Sequence, residues 1–200
     1  VFVYDRETGL IEIISVSSTG AQGNRDSYLP SISGDGRFVA FSSDASNLVT
    51  GDTNMSTDIF LYDRQSKSLT LVSNGLSGFA NGNSVFPSIS SDGRYVSFKS
   101  DASDLIVGDT NNQADIFVFD RLNGEIERVS VNDLGNQGNG ASLNATISGD
   151  GRFVAFLSRS NNLTVEDTNF STDVFLFDRL NKKIQMLSKS NSGEAANRPS

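Results

Sequence analysis

Short runs of apolar, β-branched and aromatic residues recur along the chain, separated by polar stretches. The segment Ser27–Ser73 contains four such runs, at residues 28–33, 37–42, 58–63 and 68–73. Each run ends at a cluster of Gly, Asn, Asp or Ser, which is typical of β-strands. No segment of ten or more residues shows the 3.6-residue apolar period of a helix, so the pattern predicts an all-β protein.

The four-strand pattern repeats at a fixed interval of 57 or 58 residues. The triplet Asp-Gly-Arg at 35–37 returns at 92–94 and at 150–152. A period of this length indicates a supersecondary unit that stacks on copies of itself. The predicted division is a partial blade of outer strands at 1–17, blades at 27–73, 84–130 and 142–188, and the start of a further blade at 189–200.

The second and third runs are apolar at consecutive positions, as in Phe38-Val39 and Ile59–Tyr62. A strand with one face in water would alternate, so these strands are expected to be covered on both faces. Packing between similar blades gives that burial, and the prediction is a β-propeller segment of about three and a half four-stranded blades. A two-sheet sandwich also buries strands but gives no reason for the repeat.

Closed propellers have about four to eight blades, so three and a half are too few for a ring. We expect the sequence to be part of a longer protein with about six to eight blades. Self-association of two chains to complete a ring is the alternative.

The connections between the runs are unequal in length. Turns 34–36 and 64–67 are tight, whereas 43–57 and 74–84 are long. Successive connections of an antiparallel meander alternate between the two ends of the sheet. All long loops are therefore expected at one end, where a rigid scaffold usually carries its binding residues.

Composition excludes several function classes. The chain has no His and no Cys, which removes Ser/His/Asp and Cys/His catalysis, disulfides and Cys-ligated metals. A net charge of -8 argues against nucleic acid and anionic membranes as partners. No apolar run approaches the ~20 residues of a membrane span. The composition does not exclude hydrolysis by a pair of carboxylates, but that reaction needs residues that are unique to single blades. Here every blade carries the same acids, which predicts a protein that is not an enzyme.

The best candidates for chemistry are acidic loops with side-chain oxygens at i, i+2 and i+6. Their spacing resembles that of calcium loops, although a central Gly and a final bidentate Glu are missing. Calcium is therefore the one predicted cofactor, and Asx turns that bond the loop backbone are the alternative. The candidate ligands are Asp52, Asn54, Asp58, Asp109, Asn111, Asp115, Asp167, Asn169 and Asp173.

Two further repeated motifs have structural interpretations. The Asp-Gly-Arg triplet is predicted to form a hairpin turn whose Arg takes part in an ion pair. The Asp63-Arg64 pair, repeated at 120–121 and 178–179, is predicted to close the turn after the third strand or to link neighbouring blades.

The segment Pro30–Phe41 resembles the P-x-x-S-x-D-G-R-x-[IV]-A-[FY] signature of the TolB-type, WD-like β-propeller repeat. The segment Asp58–Arg64 resembles the D-[IV]-[FY]-[VL]-x-D third strand of that repeat. Both motifs recur in register, with Ala145 in place of Pro in the last copy. The resemblance implies a propeller of periplasmic or extracellular bacterial proteins, used for protein binding or attached to peptidase domains.

These observations predict a non-enzymatic interaction scaffold that binds a protein, or a polysaccharide, through loops 43–57 and 74–84 and their counterparts. The alternative is an accessory propeller domain of a prolyl-oligopeptidase-like hydrolase whose catalytic domain lies outside this chain.

Overall fold

A computed structural model describes residues 1–190 of the protein. Within that range all regular structure is β-strand and no helix occurs, which confirms the all-β prediction. Accordingly, the described part of the chain has no helix long and apolar enough to cross a membrane. The predicted start of a further blade at 189–200 falls almost wholly outside the described residues. The strands are β1 (Phe2–Tyr4), β2 (Ile11–Ile13), β3 (Ser27–Ile32), β4 (Phe38–Ser43), β5 (Asp58–Asp63), β6 (Ser68–Leu71), β7 (Asn74–Gly75), β8 (Gly78–Phe79), β9 (Ser84–Ile89), β10 (Tyr95–Ser100), β11 (Asp115–Asp120), β12 (Glu125–Arg128), β13 (Ser142–Ile147), β14 (Phe153–Ser158), β15 (Asp173–Asp178) and β16 (Lys183–Met186).

Three four-stranded antiparallel sheets dominate the structure. Blade 1 is β3–β6, blade 2 is β9–β12 and blade 3 is β13–β16, and in each the strands neighbour one another in chain order. Strands β1 and β2 form a two-stranded sheet before blade 1. The small β7–β8 hairpin lies inside the long connection between blades 1 and 2, where the sequence indicated only a loop. Because each blade is a simple meander, its tight turns lie at one end of the sheet and its long loops at the other. We call these the turn end and the loop end.

Each first strand contains a bulge at the same position. In β3 the pairing with β4 jumps from Tyr28 to Ser31, and Leu29 adopts a φ of 52°. Pro30 therefore falls at an unpaired position, where its missing N–H removes no ladder hydrogen bond. The equivalent jumps in β9 and β13 leave Pro87 and Ala145 unpaired in the same way, which explains why this place tolerates either residue.

The core of each blade is built on a stacked phenylalanine pair from its two central strands. Phe41 and Phe60 in blade 1 have ring centroids 5.8 Å apart, and blades 2 and 3 repeat the arrangement. All six residues of β4 and β11 are buried, as expected for strands covered on both faces. In blade 3, however, buried and half-buried residues alternate along β14 and β15. Blade 2 covers one face of that sheet, and no described sheet follows to cover the other.

Consecutive blades are joined at their first strands and at their Asp-Gly turns. The backbone N–H of Gly34 donates to Ser91 O at 2.9 Å, and the N–H of Ser91 donates to Gly149 O at 2.9 Å. Gly93 lies so close to blade 1 that an added Cβ would be 2.2 Å from Phe38 Cδ2. Its φ of +68° independently favours glycine. Gly151 repeats this contact, 2.1 Å from Tyr95 Cδ2 of blade 2, whereas Gly36 has a positive φ but no close neighbour. The turn therefore favours glycine in all three copies, and the contact between blades requires it in blades 2 and 3.

Candidate functional site

At the turn end, each blade carries the same bidentate ion pair. Arg37 Nε donates to Asp63 Oδ1 at 2.9 Å and its Nη2 donates to Oδ2 at 2.7 Å. Arg94–Asp120 and Arg152–Asp178 repeat this geometry. The hydrogen bonds from Arg37 hold the pKa of Asp63 well below its usual range. Asp63 Oδ1 also accepts the backbone N–H of Gln65, so the carboxylate closes the turn as well.

The arginine that follows each of these aspartates reaches the neighbouring sheet. Arg64 donates to Glu12 Oε2 of the β1–β2 sheet at 2.8 Å and to Gly36 O at 2.8 Å. The Arg121 guanidinium lies 4.2 Å from the ring centroid of Phe38 in blade 1. Both predicted roles of the Asp-Arg motif therefore occur together, the aspartate within a blade and the arginine between blades.

At the loop end, the third strand of each blade begins with a fully buried aspartate, which is Asp58, Asp115 or Asp173. Each accepts a hydrogen bond at Oδ1 from a serine hydroxyl of its own blade, Ser73, Ser130 or Ser188, at 2.5–2.7 Å. The structure thus brings the predicted ligands to one place in each blade, at the start of the third strand.

The predicted asparagine ligands make Asx turns. Asn54 Oδ1 accepts the backbone N–H of Ser56 at 3.0 Å, and Asn54 Nδ2 donates to Asp58 Oδ2 at 3.1 Å. Asn111 repeats both bonds with Gln113 and Asp115. In blades 1 and 2 the amide nitrogen, and not its oxygen, therefore faces the buried carboxylate.

Blade 2 neutralises its acidic loop with a residue that the sequence reasoning missed. Arg128 Nη1 lies 3.3 Å from Asp109 Oδ1 and 3.4 Å from Asp115 Oδ2, and the Arg128 side chain is 9% exposed. Burial raises the pKa of both aspartates, and the guanidinium opposes that rise. An alignment of the three repeats could have identified this residue. Arg128 stands at the fourth-strand position where the other blades have Leu71 and Met186.

In the described part of the chain, blades 1 and 3 have no such counter-charge. Burial raises the pKa of Asp58 to about 6, with Asp52 adding to the rise and the hydrogen bonds from Ser73 and Asn54 opposing it. In blade 3, burial and then the neighbouring Asp173 raise the pKa of Asp167. No cluster of three or more His, Cys, Asp or Glu suited to a metal occurs within residues 1–190. A cation in these loops would therefore depend on two carboxylates and on neutral oxygens.

Asparagine side chains fasten the long loops to one another. Asn81, in the connection before blade 2, donates from Nδ2 to Ser103 Oγ at 3.0 Å and accepts the Ser103 N–H at 2.9 Å. Asn24 and Asn139 repeat this clamp before blades 1 and 3. Asn81 lies in the long connection predicted at 74–84, and neither local propensity nor spacing identifies a partner 22 residues away.

The long loops also expose large apolar side chains, a second feature absent from the sequence interpretation. Leu76 and Leu134 lie in the connections between blades, and the other four follow second strands. Their exposed fractions range from 60% to 93%. The six residues are Met55, Leu76, Val107, Leu134, Val165 and Phe170.

Comparisons with known proteins agree with this architecture. No protein-family profile matches the chain, and no curated protein matches it. Among solved structures, TolB from Acinetobacter baumannii is similar over 97% of this chain and 39% of its own, with 22% identity and a TM-score of 0.54. A prolyl endopeptidase is similar over 94% of this chain and 26% of its own, with 14% identity and a TM-score of 0.57. The β-propeller domain of the Trilobed protease from Pyrococcus furiosus is similar over 84% of this chain and 43% of its own, with 12% identity and a TM-score of 0.54.

These identities carry information about the fold alone. The chain spans well under half the length of the TolB chain and about a quarter of the prolyl endopeptidase chain. It resembles the propeller part of the peptidases and not a catalytic domain. The repeated four-stranded sheets, the motifs in register and these neighbours confirm a β-propeller segment whose fold is similar to that of TolB.

Proposed function

We propose that the protein is an interaction scaffold that binds another protein through its loop end. The observation that carries this proposal is the set of exposed apolar side chains on the long loops within and between the described blades, such as Met55, Val107 and Leu76. Exposed apolar groups on a rigid surface are characteristic of protein-binding sites. Most of the six are aliphatic, which favours a protein over a polysaccharide as the partner.

The loops that carry these side chains are held in place before any partner arrives. The asparagine clamps join the connections between blades to the loops after the second strands. Asn54 Nδ2 also donates to Ala80 O at 3.0 Å, which joins blade 1 to the connection that follows it. A pre-organised surface loses less conformational entropy on binding, so a modest contact area is sufficient.

The test compares apolar residues of the two ends of the propeller. The loop-end variant carries Met55→Ser, Val107→Ser, Val165→Ser and Phe170→Ser. The turn-end control carries Leu122→Ser and Leu180→Ser, which remove side chains that are 64% and 73% exposed in the tight turns. Affinity capture from the bacterial periplasm and culture fluid, the compartments that the resemblance to TolB-type proteins leads us to expect, should recover a partner with the parent protein and the control. The loop-end variant should lose at least about tenfold in affinity for that partner. Equal binding by both variants would contradict the proposal.

A second candidate function rests on the similarity to a prolyl endopeptidase and to a protease propeller domain. In this role the propeller would control access to a catalytic domain outside the chain. Replacing the long loops by Gly/Ser segments in the full-length protein would then change peptide turnover and leave partner capture unaffected. Self-association to complete a ring and polysaccharide binding stay predictions that no described contact favours.

A further inference from the structure

The acidic loop of blade 3 contains buried carboxylate oxygens that no described group neutralises. Neither oxygen of Asp167, nor Oδ2 of Asp173, accepts a hydrogen bond of normal geometry. The backbone N–H of Asn169 opposes the rise in the pKa of Asp167, but it supplies no full positive charge. Asp167 is 6% exposed and Asp173 is fully buried. Burial of an unpaired carboxylate is among the costliest arrangements in a protein interior. Such oxygens from two neighbouring aspartates indicate a position for a positive charge.

Blade 2 shows what that position accepts. There a single atom, Arg128 Nη1, lies within 3.4 Å of both equivalent aspartates. The strand register places Met186 of blade 3 where blade 2 has Arg128, because both are paired with the central phenylalanine of the third strand. Methionine carries no charge, so among residues 1–190 no side chain supplies the blade 3 carboxylates with the cation that the same geometry holds in blade 2.

Blade 1 differs from both. It has Leu71 at this register, yet both oxygens of Asp58 accept hydrogen bonds, from Ser73 and Asn54. Unpartnered carboxylate oxygens without a nearby guanidinium are thus a property of the blade 3 loop among the described blades.

A hydroxyl oxygen without a hydrogen-bond partner lies near Asp167. Thr164 Oγ1 is buried without a hydrogen-bond partner. Thr164 and Asp167 line one cavity of about 450 Å³. The other blades have Val49 and Ile106 at the position of Thr164, so this hydroxyl is also specific to blade 3.

We propose that the blade 3 loop binds one Ca²⁺ ion through Asp167 and Asp173, with the Thr164 hydroxyl as a neutral ligand, and that the blade 2 loop does not bind Ca²⁺. All three ligands are oxygens, which hard cations prefer, and the irregular loop suits the flexible coordination of Ca²⁺ better than the octahedron of Mg²⁺. With two carboxylates and the remaining positions filled by water or backbone, the dissociation constant is expected at about 10⁻⁴–10⁻³ M. This inference is independent of the proposed partner.

The test is calorimetric titration with CaCl₂, with MgCl₂ and NaCl at matched ionic strength, supported by thermal unfolding. The parent protein should bind one Ca²⁺ per chain, and its Tm should rise with Ca²⁺ concentration by mass action. Asp167→Asn should lower the affinity at least about tenfold. Met186→Arg should abolish binding, because the guanidinium takes the place of the ion. Glu7→Gln removes one exposed negative charge elsewhere and should bind as the parent does.

Folding of the variants gives an independent readout. In the presence of a chelator, both Asp167→Asn and Met186→Arg relieve an unpaired buried charge, so their Tm should equal or exceed that of the parent protein. No heat and no Tm change at about 10 mM Ca²⁺ would overturn the proposal. Equal responses to Ca²⁺, Mg²⁺ and NaCl, or parent-like binding by Met186→Arg, would overturn it as well.

Discussion

The third strand of each described blade begins and ends with an aspartate. The aspartate at the loop end and the aspartate at the turn end have different environments. At the turn end, Asp63 and its two counterparts form the same bidentate pair with an arginine in all three blades. At the loop end, Asp58 and its counterparts are buried, and their surroundings differ from blade to blade. Asp58 and Asp115 each accept two hydrogen bonds, and Asp115 also has Arg128 beside it. Asp173 accepts one from Ser188, and its Oδ2 has no hydrogen-bond partner.

The comparison separates two meanings of a repeated residue. Where the residue and its partners repeat together, as in Arg37–Asp63, the repeat maintains the scaffold. Where the residue repeats but its partners change, as around Asp115 and Asp173, single blades can acquire separate properties. The differences among the blades are concentrated at the end that also carries the exposed apolar side chains.

The largest expected effect comes from making blade 2 resemble blade 3 with Arg128→Met. This change leaves Asp109 and Asp115 buried without their cation, and breaking a buried ion pair costs about 3–5 kcal/mol. Urea denaturation at pH 8 in the presence of a chelator measures the loss. The loss should shrink at low pH, where the carboxyls accept protons. A loss below about 1 kcal/mol would show that the pair is well solvated and that the comparison is wrong.

Glycine-to-alanine substitutions compare the steric crowding at the two ends of the propeller. Gly93→Ala at the turn end combines a positive φ with a contact of 2.2 Å to Phe38, so we expect a loss of about 2–4 kcal/mol. Gly108→Ala at the loop end has a similar φ of +83° but no atom within 4 Å. Its cost should be only the backbone strain, about 1 kcal/mol. Equal losses in thermal unfolding would mean that blade contact adds nothing at Gly93.

The two ends of β5 should respond to pH in opposite directions. The pKa of Asp63 lies below its ordinary value of 3.8, so its pair stabilises the fold above about pH 4 and that contribution is lost on acidification. The pKa of Asp58 is raised to about 6, so its contribution to stability falls as the pH rises from about 4 to above 6, by on the order of 2 kcal/mol. Titration of the ¹³Cγ shifts should show a midpoint near 6 for Asp58 and no midpoint above 3.8 for Asp63. The reverse order would contradict the comparison.

The smallest expected effect concerns the loop clamps. Asn81→Ala removes two hydrogen bonds to Ser103 and should cost about 1 kcal/mol. Hydrogen exchange at the Ser103 amide should become faster. Asn123→Ala at the turn end removes two hydrogen bonds to Glu125, only two residues away, and should leave the Ser103 amide unchanged. Slow exchange at Ser103 in Asn81→Ala would mean that the clamp does not order the loop.

Local sequence patterns were sufficient for the blades themselves. The strands of blade 1 lie within two residues of the predicted runs, because strand propensity, turn residues and the repeat all specify the same elements. The Asp-Gly-Arg turn was predictable for the same reason, since its pairing partner Asp63 repeats at a fixed distance. The consecutive apolar positions of the second and third runs, together with the repeat, then indicated the packing of blades, and the resemblance of Pro30–Phe41 to a propeller repeat agreed with it.

What the sequence by itself determined is the repeated unit: four strands, their turns and the aspartates at both ends of the third strand. Only the tertiary structure decided what those aspartates meet, because Arg128 of the fourth strand reaches Asp109 in the loop before the third strand. In the same way, Asn81 reaches Ser103, 22 residues away. Contacts of this kind depend on the register between strands and on the folded path of the loops, and neither is encoded in a local pattern. For that reason the three loops that share the Asp-Thr-Asn motif and a final aspartate, such as Asp173, have three different electrostatic environments.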